Sequence, residues 1–158
     1  TMENSYHMDF WKALKANPTP MTFSEVYIGL QQKTIDAQEN PYEVIVSSKL
    51  YEQQDYVVET NHLPHYISLI VSDEFYKDLP KDQQKIISEA AETAKEYARK
   101  ASDERIEDRM KVIKDSGTKI VRLDKKTQED VRKASSDIYK SIEENVSKDV
   151  FDAYLNQK

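Results

Sequence analysis

The sequence predicts an α/β fold in which helix dominates and a few strands share some parallel sheet. Three observations carry this reading. Strand-like and helix-like runs alternate along the chain, the pattern that builds parallel sheets through helical crossovers. Asp55–Thr60 (DYVVET), His62–Val71 (HLPHYISLIV) and Thr118–Leu123 (TKIVRL) have the composition of strands. Residues 81–115 hold an apolar stripe at helical spacing over the longest stretch of the chain.

Taken in order, His7–Ala16 reads as a short amphipathic helix with Met8, Trp11 and Leu14 near one face, and Trp11 is expected in the core. Asn17-Pro18-Thr19-Pro20 stops it, because proline lacks the N–H that a continuing helix needs. Met21-Thr22-Phe23 is then extended. Phe23-Ser24-Glu25 starts the next helix, with Ser24 as the cap and Glu25 beside the positive helix end. Val26, Tyr27, Leu30 and Gln31 follow at helical spacing. Thr34–Ala37 is too short and mixed for another helix. In Gln38-Glu39-Asn40-Pro41, proline suits the first turn of a helix running to Tyr51 and biases Asn40 toward an extended conformation. Asn40 therefore stands just outside a helix. It either caps that helix or offers its amide to a small anion.

Further along, both alternating sets of Tyr66–Val71 are mostly apolar, as in a strand covered on both faces. Ser72-Asp73-Glu74 opens a short helix that Leu79-Pro80 stops. Residues 81–115 would span about 50 Å as a helix, with a break conceivable at Ala101–Glu104. The apolar spacing drifts and does not hold a coiled-coil heptad. Gly117 is its stop. Asp124 or Thr127 starts a last long helix carrying Val131, Ile138, Ile142 and Val146, and Ser147–Leu155 forms a terminal one.

Composition narrows the function. The chain has 158 residues, enough for a core, with 38% hydrophobic and 33% charged residues. No run approaches the roughly 18 apolar residues of a membrane helix. Without cysteine there are no disulfides, thiolate metal sites or thiol nucleophile. Residues 1–80 carry five Lys and no Arg against twelve Asp and Glu; residues 81–158 are nearly balanced. No basic face points to nucleic acid. With two glycines, Gly29 and Gly117, a phosphate-cradling loop or dinucleotide fingerprint is excluded.

No constellation reads as catalytic. His62 and His65 form an H-x-x-H after Glu59, but side chains three apart on a strand face opposite ways, so a shared metal is not expected. A histidine hydrogen-bonded or touching a ligand at the mouth of a strand is. Ser68, His65 and Asp73 make a triad only on paper, with no nucleophile elbow or oxyanion loop. Paired carboxylates such as Asp103/Glu104 lie on lysine-rich helices as solvated faces. The chain is thus read as neither an enzyme nor the holder of a cofactor.

The order Asn17-Pro18-Thr19-Pro20-Met21, Phe23-Ser24-Glu25-Val26-Tyr27, Leu30-Gln31 and Asp36-Ala37-Gln38-Glu39-Asn40-Pro41 closely resembles the TRAP-type solute receptors, extracytoplasmic binding proteins of the dicarboxylate (DctP-like) class. Lys49-Leu50-Tyr51-Glu52, Thr60-Asn61-His62 and Leu79-Pro80 continue the match, which covers residues 1–123 well and the rest loosely. Lys15, Lys33 and Ala37 stand where glycine or a small residue is usual. Both lysines are expected at the surface, and Ala37 is expected to stiffen the turn before Asn40.

The resemblance implies the helix-rich C-terminal part of a two-lobed periplasmic-binding-protein-like fold of type II. Residues 1–75 would belong to the second lobe, 76–116 would form a long helix bridging the lobes, and 117–158 would pack on them. The implied function is capture of a small organic anion, a C4-dicarboxylate or related carboxylate, for TRAP membrane permease subunits. The implied setting is periplasmic or extracytoplasmic, lipid-anchored in a Gram-positive cell. Phe23 would line the ligand and Asn40 would hydrogen-bond its carboxylate; Glu3 or Asn4 and His65 fall where the pocket wall varies. The family's ligand arginine aligns one residue before Thr1. On that alignment residues 1–158 are expected to show no succinate or malate affinity alone, and to expose apolar surface that favours self-association. The rival reading is a helical interaction or scaffold protein without a small ligand.

Overall fold

A computed structural model describes residues 4–155. The Asn4 side chain caps α1 (Ser5–Ala13), its Oδ1 accepting from the Tyr6 N–H at 2.9 Å and the His7 N–H at 3.3 Å. The helix ends at Lys15, which holds a φ of 65° where glycine is at ease. After the proline-interrupted stretch 16–22 comes α2 (Phe23–Gln31). Thr22, not Ser24, is its N-cap, and no side chain closes it. Lys33, φ 58°, ends the turn after it. Both lysines are exposed, as expected from sequence.

The helix expected over Pro41–Tyr51 is shorter. Tyr42–Ser47 forms α3, Lys49 turns left-handed at φ 54°, and Leu50–Gln53 continues as a 3₁₀ turn. Two strands, β1 (Tyr56–Glu59) and β2 (Lys119–Arg122), pair in parallel with Val57 opposite Ile120 and Glu59 opposite Arg122. Between them run α4 (Asp73–Asp78) and α5 (Lys81–Asp115), an unbroken helix of 35 residues. Gly117 stops α5 at a φ of 94°. The last long helix divides at Ser135 into α6 (Lys125–Ala134) and α7 (Ser136–Glu143), and α8 is Lys148–Leu155. The buried Ser135 hydroxyl donates to the Val131 and Arg132 carbonyls, back-bonding that competes with a straight helix. Asp124 caps α6 by accepting from the Thr127 N–H at 2.7 Å.

The strand expected over His62–Val71 does not form. A strand needs ladder partners for its N–H and C=O groups, and among the described residues β1 and β2 pair only with each other. The segment runs without a ladder, with Ile67 95% and Ile70 88% exposed. Its apolar residues are the imprint of cover that these residues do not supply.

The core is Val26 and Leu30 of α2, Ile45 of α3, Leu50 of the 3₁₀ turn and Ile113 near the end of α5. Most of α5 stands in solvent and joins the core only near its C-terminus. Two polar ties fix that end. The Arg109 Nε donates to Glu43 on α3 at 2.9 Å, a contact that holds the Glu43 carboxyl below its usual range. The buried Thr118 hydroxyl is shared between the Tyr51 and Gln54 carbonyls, each at 3.1 Å. Truncating Ile113, fully buried among four elements, leaves a cavity that few neighbours can fill. Ile113→Ala is expected to lower stability by about 2–5 kcal/mol in urea unfolding. Lys33→Gly removes a left-handed lysine at the surface and is expected to raise stability by up to about 1 kcal/mol in the same measurement.

Candidate functional site

The site begins with the turn that follows α2. Gly29 lets that turn fold tightly onto the helix, since a Cβ there would lie 3.2 Å from Ile35 Cγ1. Its carbonyl accepts from the Thr34 N–H at 2.9 Å, the Ile35 N–H at 3.3 Å and the Thr34 hydroxyl at 3.2 Å. Residues 37–41 then run without regular structure into α3. On this piece Gln38, Glu39 and Asn40 are all half-buried.

Asn40 is not a helix cap. Pro41 is the N-cap residue of α3, and no side chain bonds to that helix's first N–H groups. The Asn40 amide donates instead to Gln38 Oε1 at 2.7 Å. An amide nitrogen has two hydrogens, and this bond uses one of them. The turn is held from behind by Tyr42, whose hydroxyl donates to Glu59 Oε1 at 2.8 Å while Arg122 Nε donates to Oε2 at 2.7 Å. Burial first and the Glu59 carboxylate second push the Tyr42 hydroxyl far above its ordinary range, so it stays a donor at every working pH.

The other expected positions are scattered. Phe23 lies in the first turn of α2, 45% exposed. Asn4 spends its side-chain oxygen on capping α1. His65 is exposed on the unladdered segment. Glu3 lies outside the described residues. Phe23, Asn4, His65 and Asn40 do not line the cleft of about 490 Å³ beside the turn. That cleft is walled by residues 15–19 on one side and 34–39 on the other, with Trp11 and Val26 between.

The structure adds a cluster that the sequence showed only in pieces. The His62 ring stacks on Phe10 at 4.8 Å between centroids and meets Trp11 edge-on at 5.1 Å. Its Nδ1 bonds the Thr60 hydroxyl at 2.7 Å, and its Nε2 lies 3.9 Å from the Glu39 carboxylate, beyond hydrogen-bond reach. Among the described residues the buried Trp11 Nε1 and His62 Nε2 have no hydrogen-bond partner. The sequence predicts a hydrogen-bonded or ligand-touching histidine without choosing between His62 and His65, and it predicts Trp11 in the core; Trp11 is instead half-buried beside the cleft, outside the core cluster. The link of His62 to Glu39 had no local signal, because twenty-three positions separate them. Among the described residues no group of carboxylates and histidines is set to hold a metal ion.

With this geometry in place, comparison with known proteins is informative. The family model described as "Bacterial extracellular solute-binding protein, family 7" (DctP) matches residues 1–145. The chain is 45% identical over 92 residues to the solute-binding protein RD1_1052 of Roseobacter denitrificans, covering 58% of this chain and 28% of that one. It is 35% identical over 124 residues to the 2,3-diketo-L-gulonate-binding periplasmic protein YiaO of Escherichia coli, covering 76% of this chain and 37% of that one. The crystal structure of a TRAP periplasmic solute-binding protein from Shewanella oneidensis with bound succinate matches with a TM-score of 0.85 at 30% identity. RD1_1052, with bound L-galactonate, matches with a TM-score of 0.79 at 34% identity. These alignments cover 97% and 94% of this chain but 50% and 47% of the solved ones. The chain thus spans half, or less, of the length of the relatives it matches.

Burial, partly offset by Glu39 and reinforced by His7 and His65, holds His62 below its ordinary value of 6.5. The unfolded chain therefore takes up the proton at higher pH than the folded one. Stability is complete above that ordinary value and falls as pH drops through it toward the lower folded value. Urea midpoints between about pH 8 and pH 5.5 should show this loss, and His62→Gln should remove its share of the loss.

Proposed function

Because the chain belongs to family 7 of the bacterial extracellular solute-binding proteins, we propose that it forms part of the ligand cleft of a two-lobed receptor for a small organic acid. The observation that carries this reading is the Gln38–Asn40 turn. It presents a half-buried amide with one bond already made and one hydrogen unused, within the stretch matched by the family model. That hydrogen donates to a ligand carboxylate, a charge-assisted bond stronger than a neutral one. Phe23, at the start of the same helix–turn unit, is assigned to the apolar wall of the cleft. His65 and the N-terminal pair Glu3 and Asn4 are assigned to its variable rim. Residues 1–75 contribute lobe surface, 76–116 span between lobes and 117–158 pack against them.

The ligand is a short carboxylate. RD1_1052 holds L-galactonate and the Escherichia coli relative is named for 2,3-diketo-L-gulonate, whereas succinate sits in the Shewanella oneidensis structure, at 30% identity. A hexonate-type sugar acid is the preferred ligand, with a C4-dicarboxylate as the alternative within the same class. The receptor acts outside the cytoplasm and delivers its ligand to a membrane permease pair. Among the described residues no helix is long and apolar enough to cross a membrane. The chain is a carrier, with no catalytic step.

Calorimetry tests this directly. Residues 1–158 alone are expected to give no heat with galactonate or succinate. Joined to the N-terminal half of RD1_1052, the chain should bind galactonate, and Asn40→Ala should weaken that binding by about ten- to a hundredfold. A cooperatively folded chimera that binds neither acid, or one indifferent to Asn40→Ala, would sink the assignment.

A further inference from the structure

The Gln38–Asn40 turn borders one titratable ring that the proposed site does not use. Glu39 lies between Gln38 and Asn40, whose side chains bond across it at 2.7 Å. Its own carboxylate comes to 3.9 Å from His62 Nε2. Both side chains are largely covered, His62 12% exposed and Glu39 20%. A charge-assisted hydrogen bond spans roughly 2.7–2.9 Å, so the pair stands about 1 Å short of one.

Other elements hold the rest of the His62 ring. Phe10 of α1 stacks on it at 4.8 Å with 14° between the planes, and Trp11 meets it edge-on at 5.1 Å. Nδ1 bonds the Thr60 hydroxyl at 2.7 Å. Thr60 is anchored in turn, one residue beyond β1, by its N–H to the Val58 carbonyl at 3.0 Å. The remaining ring nitrogen, Nε2, is buried and has no hydrogen-bond partner among the described residues.

Neutral imidazole carries one N–H and imidazolium carries two. A hydroxyl both donates and accepts, so Thr60 serves either form of the ring. Protonation therefore guarantees a donor at Nε2 and gives it a charge opposite to that of Glu39. The stacked Phe10 face also suits a cation. Burial opposes the charge first; Glu39 from the turn favours it, while His7 of α1 and His65 on the ring's own segment oppose it.

We propose that His62 is a positioning residue for the Asn40 amide: once protonated, it draws the Glu39 carboxylate into a hydrogen bond and so sets the Gln38–Asn40 turn. The consequence for ligand binding rests on the assignment of Asn40 to the ligand carboxylate; the coupling itself does not. With α1 and Thr60 holding the ring, the turn is the part that moves, because residues 37–41 have no regular structure to resist it.

Residue-resolved proton–nitrogen NMR on residues 1–158 tests this without any ligand. Its failure and a failure of the carboxylate assignment are therefore distinct results. His62, His7 and His65 titrate as separate signals. Emission from Trp11, the sole tryptophan, gives a second reading of the His62 titration because the two rings are in contact. Between about pH 8 and pH 5.5 the Asn40 side-chain amide resonances are expected to shift with the His62 midpoint. Glu39→Gln keeps the shape of the side chain and removes its charge. It should make His62 about threefold or more harder to protonate and uncouple the Asn40 signals from it. His62→Gln should abolish the Asn40 shift while His7 and His65 still titrate. Urea midpoints at about pH 8 check that each variant is folded; should His62→Gln fail to fold, Glu39→Gln decides alone. Asn40 signals that ignore the His62 titration, or a His62 midpoint indifferent to Glu39→Gln, would overturn the proposal and leave His62 as packing between α1 and the end of β1.

Discussion

The parallel pairing of β1 with β2 is the constraint on which the rest of this structure depends. It brings residues 56–59 against 119–122, with α4 and the whole of α5 in the connection. Parallel strands cannot be joined by a tight turn, so the long helix is a topological necessity as well as a spacer. The pairing returns the end of α5 to the body, where Ile113 enters the core and Arg109 reaches Glu43. It also sets Glu59 beside Arg122 in register, and Glu59 in turn accepts from Tyr42. Through Tyr42 the sheet fixes the entry of α3, and with it the Gln38–Asn40 turn. A site formed by local sequence is thus held by a contact more than sixty residues away.

Polar satisfaction separates what is finished in this chain from what is not. The Thr118 hydroxyl, the Tyr42–Glu59–Arg122 set and the Ser135 hydroxyl each find partners, and the body around them is closed. Beside the cleft the opposite holds: among the described residues the buried Trp11 Nε1 and His62 Nε2 have no hydrogen-bond partner, although His62 Nδ1 is paired with Thr60. A buried unpaired donor costs more than a satisfied one contributes. In this chain such groups concentrate between α1, the 34–39 turn and His62.

Much of the fold was legible in the residues. The 35-residue helix, its Gly117 stop, the Ser72 and Asp124 caps and both paired strands follow from periodicity and end signals that act within a few residues. Short-range competition explains most of the errors. Back-bonding by Ser135 divides a helix that apolar spacing alone reads as continuous, and Lys49 in a left-handed turn ends α3 early. His62–Val71 is a different kind of error. Its pattern records burial on both faces, but pattern cannot say whether the covering partner lies within the chain.

At the candidate site, the sequence by itself determined which residues meet the turn: the helix–turn–proline order, the surface lysines where glycine or a small residue is usual, and the family pattern ending in Gln-Glu-Asn-Pro. These depend on backbone preferences and neighbour spacing, which a linear string contains. Only the tertiary structure decided that Gln38 takes one hydrogen of the Asn40 amide, that Asn4 is consumed as a cap, and that His62 and Glu39 share a cluster with Phe10 and Trp11. Those outcomes depend on which distant groups arrive in the same place and on which donors they leave unpaired. Residue identity limits the candidates, but packing selects among them.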